Sequence, residues 1–259
     1  MKIIGYSERG AINSLLYGIC YSSNANSLLG KLVSLITFLF QSDVSIDVQH
    51  AQALIEQSFS DFGDADAVFL IDSGKKKVSI FMEAKVKSSQ KQDWLINDEF
   101  NKFKNDIEKF KNDNKKRVNS SNLFVQLYHK LRLVNELKQN GLNKLKEGVE
   151  FPKCSSKQFR KIGKNPVVLK AINLIKGYLD STYYVSLVPD RREEVAKFYD
   201  NVLKNFAPSE FQQWDCSRYG FLCWKDIEGY CKENCLKKTL DILEFNEEQI
   251  FSRAQIESS

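Results

Sequence analysis

A run of apolar residues followed by an alternating stretch is the clearest pattern in this chain. Residues 67–71 (AVFLI) are continuously apolar and follow Asp66, which predicts a strand buried on both faces. Residues 72–75 (DSGK) have the composition of a turn. Apolar and polar residues then alternate from about position 77 to 86, which predicts a second strand. We therefore predict a β-hairpin.

The alternation also assigns side chains to the two faces of the second strand. Val78, Ile80, Met82, Ala84 and Val86 should form an apolar face toward the core, while Glu83 and Lys85 lie together on the opposite face. In a hairpin the start of the first strand lies beside the end of the second. Asp66 should therefore lie close to Glu83 and Lys85.

The rest of the pattern predicts an α/β protein, with helices and further strands on both sides of the hairpin. Residues 88–180 are polar, rich in Lys and Asn and mostly helical in pattern. The other predicted elements are helices at 7–20 and 27–41, strands at 51–59, 183–188 and 221–224, and helices at 195–206 and after Asp226.

Length and charge narrow the class of protein. The chain has 259 residues, enough for one large domain, and 42% of them are apolar. Its net charge is only +5, but residues 101–176 contain 19 Lys and Arg against 6 Asp and Glu, leaving the remainder acidic. Such a segment suits a polyanion partner, although a solvated lysine-rich helical face would have the same composition.

Two carboxylates and an ammonium at one sheet edge have a specific chemical use. Carboxylate oxygens suit Mg²⁺, which polarises a phosphate and lowers the pKa of a bound water. A lysine two residues from a ligand can orient the attacking water or neutralise the phosphate. The set Asp66, Glu83 and Lys85 thus suits phosphodiester hydrolysis. Asp61 and Asp64 compete with Asp66, which we prefer because it directly abuts the strand.

The sequence around these residues resembles the signature of the PD-(D/E)xK, or restriction-endonuclease-like, nuclease superfamily. GDADAVFLI contains the motif's Asp at Asp66, with Ala65 where proline is often found, and IFMEAKV contains the (D/E)xK at Glu83–Lys85. The resemblance covers only residues 64–87. It implies a mixed sheet in α-β-β-β-α-β order, flanked by helices, and Mg²⁺-dependent cleavage of nucleic acid, with Mn²⁺ as a substitute.

The resemblance also implies a division of the chain and further site residues. Residues 1–259 would form a single nuclease domain, with 88–180 as a lysine-rich helical insertion between the E-x-K strand and the next strand. The Ala84 carbonyl would join Asp66 and Glu83 as metal ligands. Glu8, on the first helix, matches a glutamate that often points into the metal site, although a glutamate there also suits the helix dipole. Glu56 is a further acidic residue that could reach the site, or an exposed strand residue.

Nucleic-acid contacts are expected from basic residues and from one glutamine. Gln126 resembles a glutamine on the family's crossover helix, but the tyrosine expected four residues later is Lys130 here. Lys and Arg side chains would supply salt-dependent affinity for phosphates. The residues that we predict to contact nucleic acid are Lys87, Lys115, Lys116, Arg117 and Gln126.

Some nucleases of this superfamily hold an iron–sulfur cluster on cysteine ligands, and this chain has six cysteines. They lack a C-x-x-C pair, and Cys231 and Cys235 are spaced to share a helix face as buried thiols do. We expect no iron–sulfur cluster or zinc site. The start of the chain lacks the long apolar segment of a signal peptide, which favours a cytoplasmic protein with free thiols.

The sequence thus predicts a Mg²⁺-dependent deoxyribonuclease, most simply an endonuclease of restriction or defence type. One alternative is a repair or recombination nuclease acting on DNA ends or branched structures, because a fold does not fix a substrate. Another is a non-catalytic nucleic-acid-binding module on the same fold. No membrane partner is expected, and cutting both strands would favour a homodimer.

Overall fold

The structure is a computed structural model that describes residues 7–39, 46–87 and 92–257. Its helices are α1 Ser7–Cys20, α2 Ala25–Ser34, α3 Ile96–Asn112, α4 Leu123–Gln139, α5 Gly141–Glu147, α6 Pro166–Lys176, α7 Arg192–Asn201, α8 Trp224–Glu233, α9 Lys237–Phe245, α10 Glu247–Ile250 and α11 Arg253–Glu257. Its strands are β1 Thr37–Phe38, β2 His50–Ser58, β3 Asp64–Asp72, β4 Lys77–Ala84, β5 Val149–Glu150, β6 Phe159–Arg160, β7 Ser181–Val188 and β8 Tyr219–Cys223. Short 3-10 turns lie at Ser60–Phe62 and Leu203–Asn205.

One mixed six-stranded sheet organises the fold, in the order β1-β8-β7-β4-β3-β2. Strands β2, β3 and β4 form an antiparallel meander, whereas β7 pairs parallel to β4 and β8 pairs parallel to β7. The predicted α/β class and the predicted hairpin are confirmed. Strands β5 and β6 form a separate two-stranded ribbon.

Helices cover both faces of the sheet. One apolar core joins α3, α4, α6 and α7 to residues such as Phe81 and Tyr184, and the other joins α1, α2, α8 and α9 to residues such as Ile80 and Val185. Because β4 lies between β3 and β7, all its residues from Val78 to Ala84 are buried. The predicted division of its faces is confirmed, because Val78, Ile80, Met82 and Ala84 join one core while Phe81 joins the other. Helix α4 covers the face of Phe81, so Glu83 on that face is buried as well.

The second predicted helix is also partly wrong. Helix α2 ends at Ser34, and Thr37–Phe38 pairs antiparallel with β8. The physical reason is that pairing on the sheet edge buries Phe38 and outweighs continuation of the helical pattern. The last residues of the predicted helix, positions 40 and 41, lie outside the described residues.

Four helices and the small ribbon occupy the chain between β4 and β7. Helix α4 packs directly on these two strands, so it is the helix that crosses between them. The proposed division into a core and an inserted segment remains a prediction. Every helix in the described ranges is too short or too polar to span a bilayer.

Candidate active site

The open end of the β3–β4 hairpin brings the predicted acidic residues together. Antiparallel pairing of Ala67 with Met82 sets Asp66 beside Glu83 and Ala84. The Asp66 Oδ2 atom accepts a hydrogen bond of 2.7 Å from the backbone N–H of Ala84. The carboxylate is thereby oriented by the strand that carries the other candidate residues.

A buried ion pair holds the second carboxylate. The Lys130 Nζ atom lies 2.9 Å from Glu83 Oε1, and each side chain is only 1% exposed. Lys130 Nζ also donates to the Phe62 carbonyl at 3.1 Å. That carbonyl is presented by a 3-10 turn ending at Gly63, whose φ of 79° favours glycine. Glu83 is thus tied to α4 and to the turn before β3.

Lys130 is the site residue that the sequence did not identify. The available signal was its place four residues after Gln126, which sets the two side chains on one face of α4. Its neighbours Leu127 and Leu131 are buried, so a lysine on this face requires a partner. The partner could not be chosen without the packing of α4 on the sheet.

Both the backbone and the ammonium group of Lys85 form hydrogen bonds. Its N–H donates to the Leu187 carbonyl at 2.8 Å, and its own carbonyl accepts from Trp224 Nε1 at 2.9 Å. Its Nζ donates to the Ser121 carbonyl at 2.8 Å and to Gln126 Oε1. Gln126 of α4 thus lies beside the E-x-K strand, through its contact to Lys85.

Helix α1 lies over the same sheet edge. Glu8 lies in its first turn, and its negative charge contributes to the raised pKa of Asp66. Glu56 stands opposite Asp66 in β2, with a φ of 49°. Its carboxylate accepts from Asn13 Nδ2 at 2.9 Å and from Arg9 at 3.5 Å. Glu56 is thus engaged by α1.

The electrostatics of the two central carboxylates favour their protonated forms more than in water. Burial raises the pKa of Asp66, and the Glu8 carboxylate acts in the same direction, while the Ala84 N–H and Lys85 oppose it. Burial also raises the pKa of Glu83, and the Lys130 ammonium opposes this effect. Raised carboxylate pKa values are typical of functional sites, although structural ion pairs produce them too.

The competing aspartates lie elsewhere. Asp64 is exposed at the start of β3. Asp61 forms an ion pair of 2.5 Å with Lys157 and accepts from the Lys161 N–H at 3.0 Å. Partial burial works against ionisation of Asp61, but these two hydrogen bonds lower its pKa.

The predicted nucleic-acid residues differ in accessibility. Lys115, Lys116 and Arg117 are exposed in the loop between α3 and α4, which also carries the Ser121 carbonyl to Lys85. The Lys87 side chain is 2% exposed and lies 3.4 Å from Asp93. The prediction for Lys87 needs correction, because its ammonium is buried in an ion pair rather than presented to a partner.

The donor set suits a hard divalent cation in type, but it is small. Asp66 and Glu83 supply carboxylate oxygens, and Glu83 Oε1 already lies 2.9 Å from the Lys130 ammonium. Among those same residues, no group of three or more His, Cys, Asp or Glu side chains could hold a metal ion. A cation here would therefore also need backbone, water or substrate oxygens.

The cysteines lie away from this chemistry. Cys223 is buried in β8, as predicted. Helix α8 ends at Glu233, so Cys231 is buried but Cys235 lies beyond the helix and is exposed. The prediction that these two thiols share a buried helix face is wrong, because the chain turns at Cys235 with a φ of 57°.

Searches against known protein families, curated proteins and solved structures return no match to the chain. Any functional assignment therefore depends on the residues and geometry described above.

Proposed function

We propose that this chain is a metal-dependent nuclease that hydrolyses DNA phosphodiester bonds, with a restriction-endonuclease-like core. The observation that carries the proposal is the hydrogen bond from the Ala84 N–H to Asp66. It joins the motif's aspartate to the backbone between Glu83 and Lys85, two residues of the E-x-K tripeptide. A chance match of short motifs would not require this contact.

The order of the strands supports the proposal independently. An antiparallel meander, β2-β3-β4, is followed by helix α4 and by a parallel strand, β7. With α1 in front, and with α2, β1 and the elements other than α4 between β4 and β7 set aside, this order fits the α-β-β-β-α-β order that the resemblance implies. Helix α4 also brings Gln126 to Lys85, as expected for a crossover helix that completes the site.

The residues divide into ligands and positioning groups. Asp66, Glu83 and the Ala84 carbonyl would hold Mg²⁺, or Mn²⁺ in its place, with Glu8 as an additional ligand. The bound cation supplies Lewis-acid polarisation of the phosphate. The Lys85 ammonium orients the attacking water, and Gln126 and the Ser121 carbonyl fix the direction of that ammonium. Lys130 is a positioning residue, because its contact is with Glu83.

The test is cleavage of plasmid DNA and of linear single- and double-stranded DNA with Mg²⁺ or Mn²⁺. Wild type is compared with Lys85→Ala and with the matched control Lys75→Ala, an exposed lysine in the turn at the other end of the hairpin. We expect metal-dependent cutting that Lys85→Ala loses and Lys75→Ala keeps. Equal activity of the two variants would refute the role of Lys85.

The substrate profile separates two kinds of nuclease. Cutting within closed plasmid DNA indicates an endonuclease of restriction or defence type. Cutting confined to linear or branched DNA indicates a repair or recombination nuclease.

A second candidate function is a non-catalytic nucleic-acid-binding module on the same fold. The ion pair between Lys130 and Glu83 favours it, because an ammonium already neutralises one of the two central carboxylates. This candidate predicts salt-sensitive DNA binding without cleavage by wild type under any metal condition. If this candidate is right, the Lys130→Gln variant is as inactive in cleavage as wild type. If the chain is a nuclease, the same variant should change the metal requirement of cleavage.

A further inference from the structure

A pocket beside the candidate active site is lined mainly by basic and hydroxyl side chains. Its volume is about 310 Å³. Its walls come from the turn before β3, from α4 and from the segment that contains β6. The lining includes Lys130, Lys157, Arg160 and His129, together with Ser60, Ser120 and Ser156.

Two buried side chains of this wall have unused hydrogen-bonding nitrogens. His129 is 3% exposed and Arg160 is 5% exposed. Within the described part of the chain, His129 Nε2 and Arg160 Nε have no hydrogen-bond partner. Because buried polar groups are usually satisfied, a pair of them on one pocket wall indicates a site built for a ligand.

The charged side chains of the pocket indicate whether its ligand is an anion or a cation. Its carboxylate, Asp61, is already paired with Lys157 at 2.5 Å, and the Arg160 guanidinium donates to the Asp61 carbonyl and to Ser156 Oγ. Burial lowers the pKa of His129 well below its ordinary value, and the charges of Arg160 and Lys130 act in the same direction. The lining carries three basic side chains, Lys130, Lys157 and Arg160, against the one carboxylate, and this excess of positive charge suits an anion.

Two residues connect this pocket to the candidate active site. Gln126 and Lys130 line the pocket, and their polar ends contact Lys85 and Glu83. The pocket therefore adjoins those residues, with Gln126 and Lys130 as the shared wall. A strand cleaved at Lys85 would have a neighbouring phosphate within reach of the pocket.

We infer that this pocket binds a phosphate group of the nucleic-acid strand, with Lys157, Arg160 and Ser156 as its donors. Hydroxyl and guanidinium donors around a small pocket are the groups that bind phosphate oxygens in proteins. The phosphate could come from a 5′ end or from within the strand. The inference rests on the proposed function for its partner, but binding can be measured without cleavage.

The experiment measures binding of fluorescent single-stranded oligonucleotides in EDTA by anisotropy. The probes carry a 5′ phosphate, a 5′ hydroxyl or a 3′ phosphate. Wild type is compared with Lys157→Ala and with Lys153→Ala, an exposed lysine that removes the same charge from the same segment but does not line the pocket. Both variants should fold normally, because exposed ion pairs contribute little stability.

We expect Lys157→Ala to weaken binding roughly tenfold and Lys153→Ala by less than about threefold. A loss confined to the 5′-phosphorylated probe identifies a terminal phosphate, and an equal loss for all probes identifies an internal one. Equal effects of the two variants on every probe would overturn the inference.

The outcomes separate this inference from the proposed function. If wild type cleaves DNA but the two variants bind the probes equally, the phosphate site is refuted and the proposed nuclease function stands. If Lys157→Ala alone loses binding but wild type cleaves no DNA, the phosphate site is supported and the proposed nuclease function is refuted.

Discussion

Each end of the β3–β4 hairpin has an acidic residue paired with a lysine, but the two pairs lie in different surroundings. At the turn, Asp72 and Lys77 are 3.8 Å apart and partly exposed, and Asp72 accepts from the Gly74 N–H at 2.8 Å. At the open end, Glu83 and Lys130 form an ion pair that is almost fully buried. Exposed pairs contribute little to stability, whereas a buried charge without its partner is costly. Burial, rather than residue type, therefore distinguishes the candidate site from an ordinary turn.

The largest expected effect comes from breaking the buried pair. Glu83→Gln leaves the Lys130 ammonium buried without a counter-charge, so we expect a loss of about 3–5 kcal/mol in the free energy of unfolding. Asp72→Asn, the matched change at the turn, should cost about 1 kcal/mol or less. Urea unfolding followed by circular dichroism measures both.

A double variant tests whether charge is the cause. Glu83→Gln combined with Lys130→Met removes both charges and should recover most of the lost stability. If Glu83→Gln proves no more damaging than Asp72→Asn, the two ends of the hairpin do not differ in the way proposed.

The next effect is on activity. Asp66→Asn keeps an oxygen for the Ala84 N–H but removes the negative charge, so cleavage should fall by roughly 10²- to 10³-fold or more. DNA binding should remain within about threefold of wild type. The control is Asp64→Asn, which changes an exposed aspartate on the same strand and should leave both properties unchanged.

Rates from single-turnover cleavage and affinities from anisotropy in EDTA separate these effects. Loss of binding in Asp66→Asn to the same degree as loss of cleavage would contradict the assignment of Asp66 to the chemical step.

The smallest expected effect is a difference between the two ends of the hairpin in how the free energy of unfolding depends on pH. The pKa of Asp66 is raised by burial, so the folded protein holds its proton more tightly than the unfolded chain. Stability from this group is therefore present at low pH and is lost as the pH rises from the ordinary pKa through the raised one, by about 1.4 kcal/mol per pH unit of the shift.

Asp66→Asn should consequently gain stability relative to wild type as the pH rises from acid toward neutral. Burial is the main cause of the raised pKa of Glu83, and the Asp66 charge adds to it, so removing that charge changes the stability in the same direction. Thermal unfolding over a pH series measures this gain, and Asp72→Asn should not reproduce it. Parallel stability curves for Asp66→Asn and wild type would disagree with the expectation.

Local patterns predicted much of the fold. The hairpin, the helix α1 and the strand β7 lie close to their predicted bounds. The prediction of α2 was wrong at its end, because pairing of Thr37–Phe38 with β8 involves residues far apart in the sequence. The prediction that Glu83 lies on the face of β4 opposite Ile80 and Met82 is confirmed, but the burial of that face depends on α4, a helix from a later segment.

The sequence by itself determined the hairpin and the proximity of Asp66 to Glu83 and Lys85, because alternation and turn residues act between near neighbours. Only the tertiary structure decided that Lys130 pairs with Glu83, that Lys87 is buried and that Lys157 and Arg160 line a pocket. With 38 Lys and Arg in the chain, composition cannot indicate which of them meets a carboxylate. That choice depends on how α4 and the segment around β6 pack against the sheet and the turn before β3. The physical reason is that a buried charge requires a partner, and packing rather than local sequence decides which charges become buried together.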